Sequence, residues 1–316
     1  MEKIVNDARL MIKVCDLYYN QKYKHQQIAE TLGISRPTVS RILACAEERK
    51  VVHITVNDLD TVKFWDIEQR LKSRYGLREA VVVDALDDDA QNKTVLGNAA
   101  RKYLENCIQD GDKVGVSMGS TLYHTVYGSF SRMANNVTFV PLIGGMGQLR
   151  TELHSNHLAE NLARAYGGVF LPLYAPARVS NANVRNHLKK EQSVAQVLQL
   201  HKELSVALVG IGYPNAKSSI KATGYYKNNE IESLIKRGVA GDICMQFFDA
   251  QGDTQPYKKD NDVIGIDLNK LKKIPYSIGV AGGKDKISAI AGAIKGRYIN
   301  VLITDSRCAE ILLENE

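Results

Sequence analysis

Four short stretches of this chain carry residues that could do chemistry. GVSMGSTLYH holds Gly119, Ser120 and Thr121 where an apolar run gives way to a helical pattern. PLIGGMG holds Gly144 and Gly145 in the same kind of place, and GVAGGKDK sets Gly282 and Gly283 just ahead of Lys284 and Lys286. Where a strand turns into a helix, free backbone N–H groups and the helix dipole receive an anion, and hydroxyls add donors. Lysine in a first helical turn opposes the dipole, so it is poor for the helix and good for a phosphate. A tight turn explains any one of these glycine clusters. Three of them at strand ends, one with lysines, favour an anionic ligand. The spacing is neither GxGxxG nor GxxxxGK[ST], so neither a dinucleotide nor a P-loop nucleotide is indicated. Asp242 in GDIC reads as a turn residue or as a carboxylate that accepts sugar hydroxyls.

The fourth stretch is HQQIAETLGISRPTVSRIL, residues 25–43. Ile28, Ala29 and Leu32 share one face of a short helix, and Val39, Ile42, Leu43 and Ala46 share one face of the next. Gly33 allows the positive φ of a tight turn. Ser35 is an N-cap and Pro37 lies in the first turn, where its missing N–H costs nothing. Two short helices joined in this way predict a helix-turn-helix, with a preceding helix over 7–19. The candidate DNA contacts are Gln26, Gln27, Ser35, Arg36, Pro37, Thr38, Ser40 and Arg41. An arginine can be bidentate to guanine, a threonine methyl can touch thymine, and a capped helix N-terminus suits a phosphate. KVVHITV, residues 50–56, reads as a strand and as the wing of a winged helix-turn-helix.

The elements that position the other stretches follow from Asp58. An amphipathic helix is expected over 58–75, with Phe64, Ile67 and Leu71 on one stripe and Gly76 closing it. From Arg78 onward, Val- and Ile-rich runs alternate with helical patterns of 10–17 residues. EAVVVDA, KVGVSM, NVTFVPLI, GVFLPL, LSVALVGI, DICMQFF, DVIGIDL, YSIGVAG and YINVLIT read as strands. Helices are expected at 92–108, 120–130, 155–166, 184–200 and 284–295. Such alternation predicts an α/β fold with a doubly wound, mostly parallel, Rossmann-like sheet, whose ligands sit beyond the carboxyl ends of the strands.

Composition sets outer limits. A chain of 316 residues suits two domains. The net charge is +6, and residues 1–56 alone carry +3 of it, so charge density is highest where the helix-turn-helix is expected. Apolar runs such as AVVV fall far short of a membrane span. MEKIVNDARL lacks the apolar core of a signal peptide, so a cytoplasmic protein without membrane contact is expected. Cys15, Cys45, Cys107, Cys244 and Cys308 form no CxxC pair and read as free thiols. No HExxH, GxSxG or metal-ligand spacing occurs, and His124, His154, His157, His187 and His201 are isolated. No catalytic residue, metal or cofactor is therefore assigned.

In order and spacing, HQQIAETLGISRPTVSRIL, YGLREAVVV, DGDKVGVSMGST, GDICMQFFDAQG, SIGVAGGKDKISAI and GRYINVLITD resemble the SorC family of bacterial sugar-responsive transcription regulators, in its DeoR-like group. The likeness covers nearly the whole chain. It implies a winged helix-turn-helix over 1–57, and a linker helix with an effector-binding and oligomerisation domain over 58–316. The latter would have the fold of sugar-phosphate isomerases, used for binding. It implies a regulator, in the first instance a repressor, of carbohydrate metabolism. Its partners would be operator DNA and a phosphorylated sugar, and it would be a homotetramer rather than an enzyme. The effector contacts it implies are Gly119, Ser120, Thr121, Gly144, Gly145, Asp242 and Lys286, with Tyr123 and Gln192 added. Some family members carry a lysine where this chain has Ile143, and isoleucine cannot form an imine, so a non-covalent complex is implied. The alternative is an isomerase-type enzyme with an appended helix-turn-helix.

Overall fold

The computed structural model describes residues 7–52, 63–130, 134–145, 147–215 and 218–314. Contacts divide the chain into two units, Met1–Lys63 and Phe64–Glu316.

In the first unit, the Asp7 carboxylate caps α1 (Ala8–Cys15), accepting from Arg9 N at 2.9 Å and Leu10 N at 3.2 Å. A π-helical turn over Asp16–Asn20 continues α1, where Asp16 accepts from the Asn20 and Gln21 side chains. After α2 (His25–Leu32) the chain turns at Gly33, with φ +65°, into α3 (Arg36–Glu48). The Ser35 hydroxyl accepts from Thr38 N at 3.3 Å, as an N-cap should. Met11, Val14, Leu17, Ile28, Ala29, Val39, Ile42, Leu43 and Ala46 close one core between the three helices. The expected wing begins differently: Lys50 is in a turn with φ +56°, and Val51 and Val52 form a bend. The rest of that strand, from His53, lies outside the described residues.

The second unit is built on β1 (Glu79–Val83), β2 (Lys113–Val116), β3 (Thr138–Pro141), β4 (Val169–Phe170), β5 (Val206–Gly210), β6 (Gly241–Ile243), β7 (Gln246–Phe248), β8 (Tyr276–Val280) and β9 (Val301–Asp305). Seven of these form one parallel sheet in the order β1-β9-β8-β5-β2-β3-β4, and β6 and β7 form a separate antiparallel pair. Side chains alternate across the sheet, as period-two strands must. Val206 and Leu208 enter one core with Leu96 and Leu104 of α5 (Asp89–Cys107), Leu122 of α6 (Ser120–Val126), and Leu158 and Leu162 of α7 (Ser155–Tyr166). Ala207 and Val209 enter the opposite core with Leu71, Val197, Leu234, Ile290 and Leu312. Those five come from α4 (Trp65–Tyr75), α9 (Gln192–Leu200), α10 (Asn228–Lys236), α11 (Ile287–Lys295) and α12 (Ser306–Glu314). Sequential crossovers bury both faces, which is the doubly wound arrangement.

Four details depart from the sequence reading. The helix expected over 184–200 is two, α8 (Ala182–Leu188) and α9, broken at 189–191 without glycine or proline. DICMQFF is not one strand of the sheet. It is the β6–β7 hairpin, turned by Cys244 (φ +52°) and Met245 (φ +57°). DVIGIDL forms only a bridge from Gly265 to Ile143. Residues 63 and 64 form a turn, so the linker helix starts at Trp65, and 58–62 lie outside the described residues.

Candidate effector cavity and DNA-reading helix

The strand order reverses between β2 and β5: β3 and β4 extend one way from β2, while β5 opens the other side. Beyond the carboxyl ends of these strands lies a cavity of about 500 Å³. This is where a doubly wound sheet places its ligand. Its walls are the strand-to-helix turns at Gly119–Thr121, Gly210–Tyr213 and Gly282–Lys286, with Asp242 and Cys244 from the hairpin.

The turn after β2 bends at Gly119, with φ +122° and ψ +167°, and α6 begins at Ser120. The first N–H groups of a helix have no intrahelical partner. The turn after β8 bends at Gly283, with φ +95°, into a 3₁₀ turn over Lys284–Lys286. Beneath it the buried Asp305 carboxylate accepts from Gly283 N at 2.6 Å and Asn92 Nδ2 at 3.1 Å through Oδ2, and from Cys308 N at 2.9 Å through Oδ1. That carboxylate is fully committed to holding the loop.

Asp242 is different. It is 3% exposed, and its Oδ1 has no hydrogen-bond partner. Burial pushes its carboxyl up to about 6, against the opposing pull of Lys286 and of the Met245 backbone N–H. Lys286 donates from Nζ to the Ile211 carbonyl at 3.1 Å, and burial pushes its ammonium down while Asp242 pulls it back up. The hairpin is tied to the end of β5 by reciprocal backbone bonds between Gly212 and Asp242, of 2.9 and 3.0 Å. Gly212 must be glycine for this approach, since a Cβ there would lie 2.1 Å from Asp242 Oδ1. A charged acceptor with an unused oxygen, opposite a lysine and two hydroxyls, fits a ligand with hydroxyl donors at one end and acceptors at the other. The lining charges of both signs largely pair off, Lys93 with Asp89 and Arg307 with Asp87. Any preference for an anion therefore rests on Lys284, Lys286 and the N–H groups rather than on net charge.

Gly119, Ser120, Thr121, Asp242 and Lys286 all line this cavity. Tyr123, Gly144, Gly145 and Gln192 do not. The Tyr123 ring packs on Tyr127, with centroids 4.3 Å apart. Gly144 is small for packing: a Cβ would lie 2.4 Å from the Ala175 carbonyl. Gly145 exchanges backbone bonds of 2.7 Å with Ala175 and Ala177, and Gln192 opens α9 with its side chain exposed. Ile143 is buried in the core and is not part of the lining. Sequence reasoning missed Asn92, Lys93, Ser117 and Cys244, which line the cavity, and Asp305 beneath it. The Ser117 hydroxyl and Cys244 thiol meet at 3.2 Å. The aspartate that ends GRYINVLITD was the one available signal for Asp305.

In the first unit, α3 presents Arg36, Pro37, Ser40 and Arg41 to solvent, with Thr38 half-buried beside them. The Thr38 hydroxyl lies 2.8 Å from the Ser35 hydroxyl, and Ser40 Oγ is 3.3 Å from His25 Nδ1. Gln26 is exposed and donates to Glu30. Gln27 accepts from Lys24 N at 2.9 Å, so it also caps α2.

The Sugar-bind family model, a sugar-binding domain, matches residues 60–314. The chain is 35% identical over 313 residues to the sorbitol operon regulator of Klebsiella pneumoniae, covering 98% of this chain and 99% of that protein. The chain belongs to the SorC family of sugar-binding transcriptional regulators. A second relative, the deoxyribonucleoside regulator of Bacillus subtilis (strain 168), is 36% identical over 313 residues, with 97% and 98% covered. The crystal structure of the full-length sorbitol operon regulator SorC from Klebsiella pneumoniae aligns with a TM-score of 0.76 at 34% identity, over 98% of this chain and 99% of that one. These relatives and a third, the transcriptional regulator LsrR of Enterobacter sp. (strain 638) at 30% identity over 313 residues, are named as regulators, which supports a regulator over a sugar-phosphate isomerase. Among the described residues, no helix is long and apolar enough to cross a membrane.

Proposed function

We propose that this chain represses genes of carbohydrate metabolism and that a phosphorylated sugar in the cavity controls its hold on operator DNA. Residues 1–57 read the operator and residues 58–316 bind the effector and assemble the tetramer. The protein acts in the cytoplasm and needs no cofactor. Arg36 and Arg41 reach guanine edges in the major groove, and the capped start of α3 meets a phosphate. In the cavity, Ser120, Thr121 and Lys286 hold the effector phosphate, and Asp242 accepts sugar hydroxyls. The observation that carries this reading is the orphaned oxygen of Asp242. A buried, ionised acceptor without a donor is costly, and a sugar hydroxyl supplies the missing donor. The cavity binds without turning over, and the regulator names of the relatives support this. Thermal-shift screening of pentose, hexose and hexitol phosphates against their unphosphorylated parents tests this. A phosphate that raises Tm where its parent does not supports it; parents binding as well as phosphates would contradict it.

A further inference from the structure

We propose that the C-terminal helix α12 is the element through which the effector cavity acts on α4, and thereby on the chain that leads back to the DNA-binding unit. The proposal rests on the cavity being the effector site and the N-terminal unit the DNA reader.

The two ends of α12 have different partners. At its start, Asp305 and Cys308 grip the Gly282–Lys286 turn: Gly283 N donates to Asp305 Oδ2 at 2.6 Å, and Cys308 Sγ donates to the Gly283 carbonyl at 3.3 Å. Ser306 Oγ accepts from Ala85 N at 3.3 Å, and Arg307, itself on the cavity wall, pairs with Asp87 at 2.9 Å. Any ligand that draws in the Gly282–Lys286 turn or the Arg307–Asp87 pair pulls on the start of this helix.

At the other end, α12 holds α4. Tyr75 Oη donates to the Leu312 carbonyl at 2.6 Å, and Arg74 Nη1 donates to the Leu313 carbonyl at 2.6 Å. These are carbonyls of the last turn of a helix, which have no intrahelical partner, so the bonds fix where that end of α12 meets α4. Leu71 of α4 and Ala309 and Leu312 of α12 lie in the same core, each at most 1% exposed. A second hold, Glu68 Oε1 accepting from Val82 N at 2.8 Å, ties α4 to β1. A nine-residue helix is a rigid rod roughly 13 Å long, and packed interfaces rearrange between discrete positions rather than stretch. A shift at the cavity end therefore reappears at Tyr75 and Arg74. In chain order α4 is the first helix described after the DNA-binding unit, and residues 53–62 between them lie outside the described residues.

The test is a coupling measurement on the full chain. The probe is sorbitol 6-phosphate, or whichever sugar phosphate gives the largest thermal shift, and the DNA is a fragment selected from random sequence by wild-type protein. Three affinities are measured for wild type, Tyr75→Phe and Arg74→Ala: probe alone, DNA alone, and DNA with saturating probe. Failure of wild type to bind any sugar phosphate would sink the effector reading itself and is seen before any variant is made. With binding established, both variants should keep probe and DNA affinities within about threefold of wild type. The factor by which probe changes DNA affinity, typically 5- to 150-fold in allosteric proteins, should fall toward one. The control is Tyr298→Phe, which removes the bond from Tyr298 Oη to the Gly252 carbonyl, a bond that involves neither α4 nor α12. It should leave the coupling intact. Unchanged coupling in both Tyr75→Phe and Arg74→Ala, or equal loss in Tyr298→Phe, would overturn the proposal.

Discussion

Asp242→Asn should stabilise the fold and spoil the cavity, and the pH dependence says why. In the folded chain the Asp242 carboxyl is raised to about 6 from 3.8, chiefly by burial. A raised carboxyl means that the folded state holds the proton more tightly than the unfolded state. Its stabilising contribution is thus complete below about pH 4 and lost as pH rises through about 6. Above pH 6 the fold carries a buried charge that costs about 3 kcal/mol, from roughly two pKa units at 1.36 kcal/mol each. Asparagine cannot ionise and removes the cost. For a unit of this size the gain is about 6 to 12 °C in Tm at pH 8, shrinking to nothing by pH 4. The assay is calorimetry or circular dichroism of both proteins from pH 4 to pH 8. The same variant should bind sugar phosphate about ten- to a hundredfold more weakly, as loss of a charge-assisted hydrogen bond predicts. A variant less stable than wild type at pH 8, or a gain that does not shrink on acidification, would refute the reasoning.

Lys286→Ala should weaken sugar-phosphate binding by about ten- to a hundredfold by calorimetry while leaving DNA affinity without effector unchanged. Binding of the unphosphorylated sugar to this variant as tightly as the phosphate binds wild type would remove the phosphate role. Gly212→Ala pushes a Cβ into Asp242 and should cost about 1–3 kcal/mol in denaturant unfolding, with weaker probe binding as well; a neutral result would mean the hairpin yields freely. Arg36→Ala and Arg41→Ala should each weaken specific DNA binding by about 1–3 kcal/mol in gel shifts, and wild-type affinity in both would dismiss α3 as the reading helix. The fragment 58–316 should fold and bind probe but not DNA; tight DNA binding by it would move the reading surface elsewhere.

The α/β alternation was legible because both faces of the sheet are buried, so most strands appear as short runs of Val and Ile. The turn of α2 into α3 was legible because Gly33, Ser35 and Pro37 each have a local reason to be there. The β6–β7 hairpin was not, because its turn uses Cys244 and Met245 at positive φ, where a sequence reader looks for Asn-Gly or Asp-Gly. The break between α8 and α9 carries no breaker residue at 189–191, so the helical pattern read through it. Gly144 and Gly145 looked like ligand glycines, yet the carbonyl of Ala175 explains the first and backbone pairing the second. Asn92 and Asp305 meet across 213 residues of sequence. No local pattern announces such a pair, and the loop they hold was visible only through Gly282, Gly283, Lys284 and Lys286.

The most direct test of regulation by a bound sugar phosphate is fluorescence anisotropy of full-length protein on a selected DNA fragment, titrated with the sugar phosphate that gives the largest thermal shift. Wild type should lose DNA affinity by roughly 5- to 150-fold as the cavity fills, at probe concentrations matching its calorimetric Kd, and Lys286→Ala should bind the same DNA without responding. DNA affinity that stays constant while calorimetry shows the wild-type cavity saturated would contradict the account.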